Sequence, residues 1–545
     1  MKTTGYTLPV IALAISCLGC QGSRPVETPA DLQSKLQGIE TVKLETLSDA
    51  EPISVAEATE QLTAKVTETN DVGEEMPLTL EQVRAATLAN NLALRVAVID
   101  PTLANTLVDE QLAKFEAAFY GDIDYRRAEG TGTGLVTKTN TYDLGISKPL
   151  PTGGSLSIGV PFSDVDAANT DGVSEAKVSI AYFQSLLRGA GTSINTQSIR
   201  IAQLSSHIVD ARTKLRAIAL LARSDWYYWQ VYAARKELEV RQEQYKLAAN
   251  QLQHAEKMVA AGAAARIEIV RAEAGLSGRL ERLINAETDL QNWERNLRRV
   301  MNRKDLPLNS TTHILPQTHP QPRGLELDED KLISFALENR MDLIELEQQL
   351  AIDDLDIAWA KNDRLPDLGF RTQFNTRNQG DAWADSYHRF SHKAYNDLSV
   401  GLSADIPLGN RAAGARLQRA KLTRIQDRAR RDDLAQFIQQ EVREAVSDLK
   451  RNWRRILAAE QGIIAADRDY RVEQSQFQLG RRNSTDVLLA AARLGEAQLT
   501  RIQAYADYEI VQIDLARATG TLLGYGRIMV KPITLDDSQS PQPDV

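Results

Sequence analysis

The chain has 545 residues, 43% hydrophobic and 25% charged, and its 64 basic against 73 acidic side chains leave a formal net charge of −9. That length calls for several domains or one elongated body, and the mild acidity gives no basic footprint for holding nucleic acid. Both cysteines, Cys17 and Cys20, sit near the start, so the body of the chain has none for a disulfide, a thiolate metal site or a thiol nucleophile.

Lys2 precedes an apolar run from Leu8 to Leu18, long enough for the core of a signal peptide and too short to span a bilayer as a helix. Residues 1–20 are therefore read as a leader. Its end, Cys17-Leu18-Gly19-Cys20, resembles the lipobox of bacterial lipoproteins, with Cys17 where leucine usually stands. The resemblance implies lipid on Cys20, and Gln21 behind it implies the outer membrane. Residues 21–77 read as a flexible acidic tether, since Arg24 to Glu75 holds 12 acidic and 4 basic residues and no aromatic one.

The next elements come as two copies of one unit, 78–305 and 329–524, joined by a linker at 306–328 and followed by a tail at 525–545 that reads as disordered. AAARIEIVRAEAGL after Gly262 answers RRNSTDVLLAAARL after Gly480, with Glu268 against Asp486. Each copy begins with an amphipathic helix, Leu80 to Lys114 and Glu329 to Lys361. Strands follow, with apolar and polar residues in strict alternation: Phe119, Gly121, Ile123 and Tyr125; Tyr142, Leu144 and Ile146; Leu156, Ile158 and Val160; Val178, Ile180 and Tyr182; Leu368, Phe370 and Phe374; and Leu398 to Ile406. Six such segments are present. Tyr120, Tyr125, Tyr142, Tyr182 and Phe374 lie near strand ends, suited to an aromatic girdle. Glu129 to Asn140, Ser163 to Glu175 and Arg377 to Asn396 read as external loops.

The strands give way to very long helices. Gln197 to Ala260 contains neither proline nor glycine and carries Leu238, Tyr245, Leu252 and Val259 seven apart. At 1.5 Å per residue this predicts a rod of roughly 95 Å. The returning segment repeats the device with Leu276, Leu283, Leu290 and Leu297, so the two pack as an antiparallel hairpin. The second copy does the same from Ala415 to Phe477 and from Thr485 to Leu515. A greasy strand face with a polar opposite face, and no second apolar layer to cover it, is the pattern of a transmembrane β-barrel. A few strands per chain cannot close a pore, so several chains must pool theirs.

This arrangement, with the joints LLRGAG and IPLGN, the run Trp226-Tyr-Tyr-Trp229 and the tips VAAGAAARIEIV and QLGRRNSTDVLL, resembles the TolC family of outer-membrane channels from about Leu78 to Gly524. Ser185 stands where the first joint usually has proline. The resemblance implies an α+β membrane protein with two internal repeats per chain. Its trimer would form an outer-membrane β-barrel continued by a long antiparallel α-helical coiled-coil tunnel into the periplasm. It further implies four strands per chain, against the six segments counted, with Pro149 to Gly154 marking an extra hairpin. A periplasmic gate is implied at Asp486, Glu268, Arg482 and Phe477, with Leu489 in place of a second ring aspartate. Adaptor-contact tips are implied at Ala261, Gly262, Leu479, Gly480 and Ser484. The partners it implies are outer-membrane lipid, a periplasmic adaptor (membrane fusion) protein and an inner-membrane pump.

No HExxH, P-loop or GxSxG motif is present, so no catalytic residue, cofactor or metal is expected; His388 and His392, four apart in a loop, have the only spacing that suggests one. The expected function is a passive exit channel for efflux or type I secretion. The alternative is a periplasmic coiled-coil scaffold whose strands form a small cap.

Overall fold

The computed structural model describes residues 74–129, 136–167, 173–380, 395–479, 481–482 and 484–525. All of them belong to one unit, Gly73–Val545. The leader with Cys20, most of the acidic segment, the tail beyond Tyr525, and His388 and His392 lie outside the described residues.

In chain order the elements are β1 (Glu75–Leu78), α1 (Leu80–Asn90), α2 (Leu92–Ala113), β2 (Ala118–Glu129), β3 (Val136–Leu150), β4 (Gly154–Gly159), β5 (Phe162–Ala167) and β6 (Val173–Ser185). The first long hairpin follows a short turn, α3 (Thr192–Asn195), and consists of α4 (Gln197–Ala260) and α5 (Ile267–Met301). The second half runs β7 (His313–Pro316), α6 (Glu329–Asn339), α7 (Met341–Asn362), β8 (Asp367–Gly380), β9 (Tyr395–Asp405), α8 (Arg411–Gln478), α9 (Ser484–Ala518) and α10 (Leu522–Tyr525). Strand β1, which begins inside the stretch read as tether, pairs in parallel with β7 of the linker. Both segments are thus drawn into the fold by backbone pairing that composition does not report.

The larger sheet is an antiparallel meander in the order β2, β3, β4 with β5, β6, β8 and β9. β4 and β5 are one strand in physical terms. They hold a single register along β3 and along β6, and they are separated only where Pro161, lacking an N–H, cannot complete the ladder. Six strand positions result, matching the six alternating segments. The strands run further than the alternation suggested: β3 starts at Val136, β5 reaches Ala167, β8 reaches Gly380 and β9 starts at Tyr395. The remainder of the three segments read as external loops, 130–135, 168–172 and 381–394, lies outside the described residues.

Cross-strand register settles which side chains share a face. Phe119 lies opposite Ile146, Ile146 opposite Ile158, Ile158 opposite Ile180, Ile180 opposite Phe374, and Phe374 opposite Leu398. An apolar row therefore crosses every strand. The row behind it, Tyr120, Gly145, Gly159, Ser179, Asn375 and Asp397, lies on the polar face. Tyr120 is thereby corrected from a girdle residue to a polar-face one: its ring lies over Gly145, where a Cβ would come within 2.6 Å of it.

Below the sheet the helices form rods. α4 packs along α5 and α9, and in its half nearer the sheet along α2 and α7; α8 packs along α7 and α9. α2 and α5 meet end to end where the Asn91 side-chain amide donates to the Val300 carbonyl at 2.9 Å and that of Asn302 to the Asn90 carbonyl at 2.9 Å. Both outer rods keep apolar side chains in the open. Leu92, Val96, Ile99, Leu103 and Leu107 form a helical stripe on α2, and Leu422, Ile425 and Phe437 are exposed on α8.

The largest core sits at the waist, where Leu78, Val83, Leu221, Tyr228, Leu297, Met301, Ile314 and Leu522 cluster. The Tyr228 hydroxyl donates to the Leu78 carbonyl at 3.2 Å and accepts from the Thr318 amide at 2.9 Å, tying α4 to both strands of the β1–β7 belt at their C-terminal end. Fully buried Asp225 accepts a forked pair from Arg84, its closest contact 2.7 Å. Removing one partner of such a pair leaves a bare buried charge, at a cost of about 3–5 kcal/mol. Asp225→Ala is accordingly expected to unfold the waist at lower denaturant than Arg84→Met/Asp225→Leu, which removes both charges together; urea midpoints of the three chains test this.

A second buried acid lies on the α7–α8 seam. Burial, then the neighbouring Asp427 and Asp356 carboxylates, raise the pKa of Asp353 above the ordinary range. Gln349 donates to one oxygen at 3.3 Å, and Arg430 pairs with Asp427 at 2.7 Å. The folded chain therefore binds this proton more tightly than the unfolded one, and the stability so gained is lost as pH rises through the raised pKa. Asp353→Asn, which mimics the protonated form, should have a higher Tm than the native chain near pH 7 and lose that advantage at about pH 4. Melting curves at the two pH values test it.

Candidate functional site

The ends of the two hairpins furthest from the sheet hold the residues singled out for a gate. α4 stops because the chain turns left-handed at Gly262, φ +70°. The Gly262 amide donates to the Val259 carbonyl at 3.0 Å and that of Ala263 to the Met258 carbonyl at 2.9 Å, the two bonds of a Schellman motif. Nothing crowds this glycine, so its requirement is one of conformation alone. At the second tip the Arg481 amide reaches back to the Gln476 carbonyl at 2.9 Å, the equivalent outer bond. Ala261, Gly262 and Leu479 are exposed, Leu479 at 63%. Ser484 opens α9, and Gly480 lies outside the described residues.

Three charged groups meet at the second tip. The Arg482 guanidinium stands 3.4 Å from the Glu473 carboxylate and 3.9 Å from that of Asp486. The structure thus brings Arg482 and Asp486 together. Glu473 is the member that sequence reasoning missed; it lies four residues before Phe477, on the same face of α8, and that spacing was its only signal. Glu268, at the first tip, pairs instead with Arg271 on its own helix at 2.8 Å. The Phe477 ring packs edge-on to His254 of α4, centroids 5.9 Å apart, and so ties one hairpin to the other.

Further up, the hairpins are locked by charge and by a missing side chain. Arg241 of α4 reaches Glu496 of α9 at 2.9 Å, with Arg282 of α5 at 3.8 Å from the same carboxylate. Beside it, the Gln244 amide fills the space over Gly495, where a Cβ would fall 1.7 Å from its nitrogen, so a larger residue there would push the Gln244 side chain aside. Among the described residues no group of three or more His, Cys, Asp or Glu side chains could hold a metal ion. No described helix is long and apolar enough to cross a membrane.

With this geometry in place, residues 332–521 match the family described as "Outer membrane efflux protein". Over these residues the chain is similar to the outer membrane efflux proteins. Outer membrane protein TolC of Vibrio cholerae is 24% identical over 330 residues, which cover 60% of this chain and 73% of that one. The fold matches the outer-membrane channel OprN at TM-score 0.61 and 17% identity, covering 81% of this chain and 90% of that one. It matches the CmeC outer membrane channel of Campylobacter jejuni at TM-score 0.62 and 14% identity, covering 81% and 86%. The open state of the MtrE outer membrane channel of Neisseria gonorrhoeae matches at TM-score 0.59 and 16% identity, covering 81% and 89%. At these identities the structures attest the fold.

The tip geometry gives a direct expectation. Gly262→Val forces a β-branched residue into the left-handed region, at a cost of about 1–2 kcal/mol. Limited proteolysis should then cut the first tip faster than in the native chain, while the melting temperature of the waist stays close to native.

Proposed function

We propose that three copies of this chain form a passive exit duct, seated in the outer membrane by their pooled strands and reaching into the periplasm by their pooled helices. The single observation that carries this reading is the sheet. Along the rows that run from Phe119 to Leu398 it is apolar on one face and polar on the other, and its two edge strands, β2 and β9, have no second strand partner among the described residues. In lipid an unpaired edge costs several kcal/mol per group, so β9 of one copy pairs with β2 of the next until the wall closes. The exposed apolar stripes on α2 and α8 provide matching seams for the rods below. Four rods from each chain give a tunnel of twelve. The halves are read as copies of one unit because α1 and α6 have 11 residues each, α2 and α7 have 22, and α5 and α9 have 35.

In this reading the hairpin tips close the periplasmic end. Asp486 from each copy faces the axis, held short of full repulsion by Arg482, and Glu268 lies outside that cluster on its own salt bridge. Ala261, Gly262, Leu479, Gly480 and Ser484 meet a periplasmic adaptor protein, and Cys20 carries lipid into the outer membrane as a second anchor. The chain performs no chemistry. An inner-membrane pump supplies the energy and chooses the cargo.

The test is conductance of the detergent-extracted protein in a planar bilayer. Stable small openings with cation preference are expected, and Asp486→Ala should raise the conductance and weaken that preference. Openings indifferent to the substitution would reject Asp486 as the constriction, and folded protein that never inserts would reject the duct.

A further inference from the structure

The sheet exceeds the four strands implied by the resemblance, and the surplus is one piece of chain. In the second half α7 leads into β8, and β9 leads into α8. In the first half β2 follows α2 and β6 precedes α4 in the same way, but β3, β4 and β5 are interposed between them. This insertion, Val136–Ala167, is hydrogen-bonded to β2 on one side and to β6 on the other, in register throughout. Its half nearer the helices also obeys the face rule of its neighbours: Ile146 and Ile158 stand in the apolar row, whereas Asp143, Ser155 and Ser157 point to the polar side; past Phe162, at the far end, Asp164 and Asp166 take the apolar parity.

Its fit to the rest is close at two places. On the polar face the Tyr120 ring fills the space over Gly145 and Gly159, where a Cβ on the latter would lie 2.8 Å from the phenol oxygen. At the helix end, the turn between β3 and β4 is bonded into the joint that leads to α4. The Gly191 amide donates to the Thr152 carbonyl at 2.9 Å, and the Ser185 amide to the Gly153 carbonyl at 3.2 Å. Gly153, at φ +89°, has the Gly189 carbonyl oxygen 2.0 Å from where a Cβ would be, so no other residue fits there.

We infer that Val136–Ala167 is a wall segment of the pore, and that the outer-membrane section is an eighteen-stranded barrel as wide as the tunnel beneath it. The inference rests on the three-chain reading above. Strands about 4.8 Å apart and tilted by about 40° each occupy about 6.3 Å of circumference, so eighteen close around about 113 Å. Twelve rods spaced about 8–10 Å apart close around about 100–120 Å. With the insertion in the wall, the duct narrows only at its hairpin tips. The added lining is hydrophilic.

Electron cryo-microscopy of the full-length protein in detergent reads the strand number directly. A three-fold ring with eighteen strands is expected. A three-fold ring with twelve, the insertion lying elsewhere, would overturn the inference and leave the duct standing, whereas the absence of a ring would overturn the duct itself. Thiol labelling gives an independent readout, because the native sequence has no cysteine after Cys20. Ser157→Cys should react with a water-soluble maleimide in liposomes at least about tenfold faster than Ile158→Cys, since one faces the lumen and the other lipid. Equal rates at the two neighbours would place the insertion outside the wall.

Discussion

Every backbone N–H and C=O that meets hydrocarbon must find a partner within protein. A six-stranded sheet meets that demand along its interior and fails it along β2 and β9. That shortfall determines what the remainder of the molecule has to do. An isolated sheet with an apolar face could fold against helices, but here the helices lead away from it as rods and leave the greasy row from Phe119 to Leu398 uncovered. The same logic repeats in water at lower stakes. α2 and α8 each keep apolar side chains exposed at the outer margins of the rods, where the hydrophobic effect, rather than hydrogen bonding, calls for a neighbour. Sheet and rods are thus incomplete at the same two margins of the chain.

Much of this was legible in the sequence because two periods, two and seven, each report one kind of packing surface. The alternation through Ile158 and Ile180 marked the strands and even which face was apolar. Leu276, Leu283, Leu290 and Leu297 marked the returning helix before any contact was known, and the last three are buried in the structure. What stayed hidden depends on partners far along the chain. β1 and β7 have four residues each, too few for a period to show, and they exist because they pair with one another across more than two hundred residues. Tyr120 looked like a girdle residue by its position near a strand end, yet it shares the parity of Asp122 and Asp124, and the register places it on the polar side. β5 was read as loop because Asp164 and Asp166 fall on the parity of Ile158 and Val160, which ends the alternation while the strand continues.

The tips were legible in part for a related reason. Gly262 announces a helix end because left-handed backbone is written in the residue type itself. The grouping of Arg482 with Asp486 came from the resemblance, whereas Glu473 joins them from across the turn and His254 meets Phe477 from another hairpin. No local pattern carries contacts of that kind.

The belt of β1 and β7, pinned by the Tyr228 hydroxyl, also sets the mechanics of the lower half. From Tyr228 to the end of α4 at Ala260 the helix extends about 48 Å. A rod clamped at one end acts as a lever: a tilt of about 5° at the waist sweeps the tip through about 4 Å. The ion pair of Arg241 with Glu496 and the Phe477–His254 contact act on the long arm of that lever, where a small force has most purchase. An aperture worked in this way needs no unfolding and no hinge loop. It is a set of stiff fingers whose knuckles are fixed.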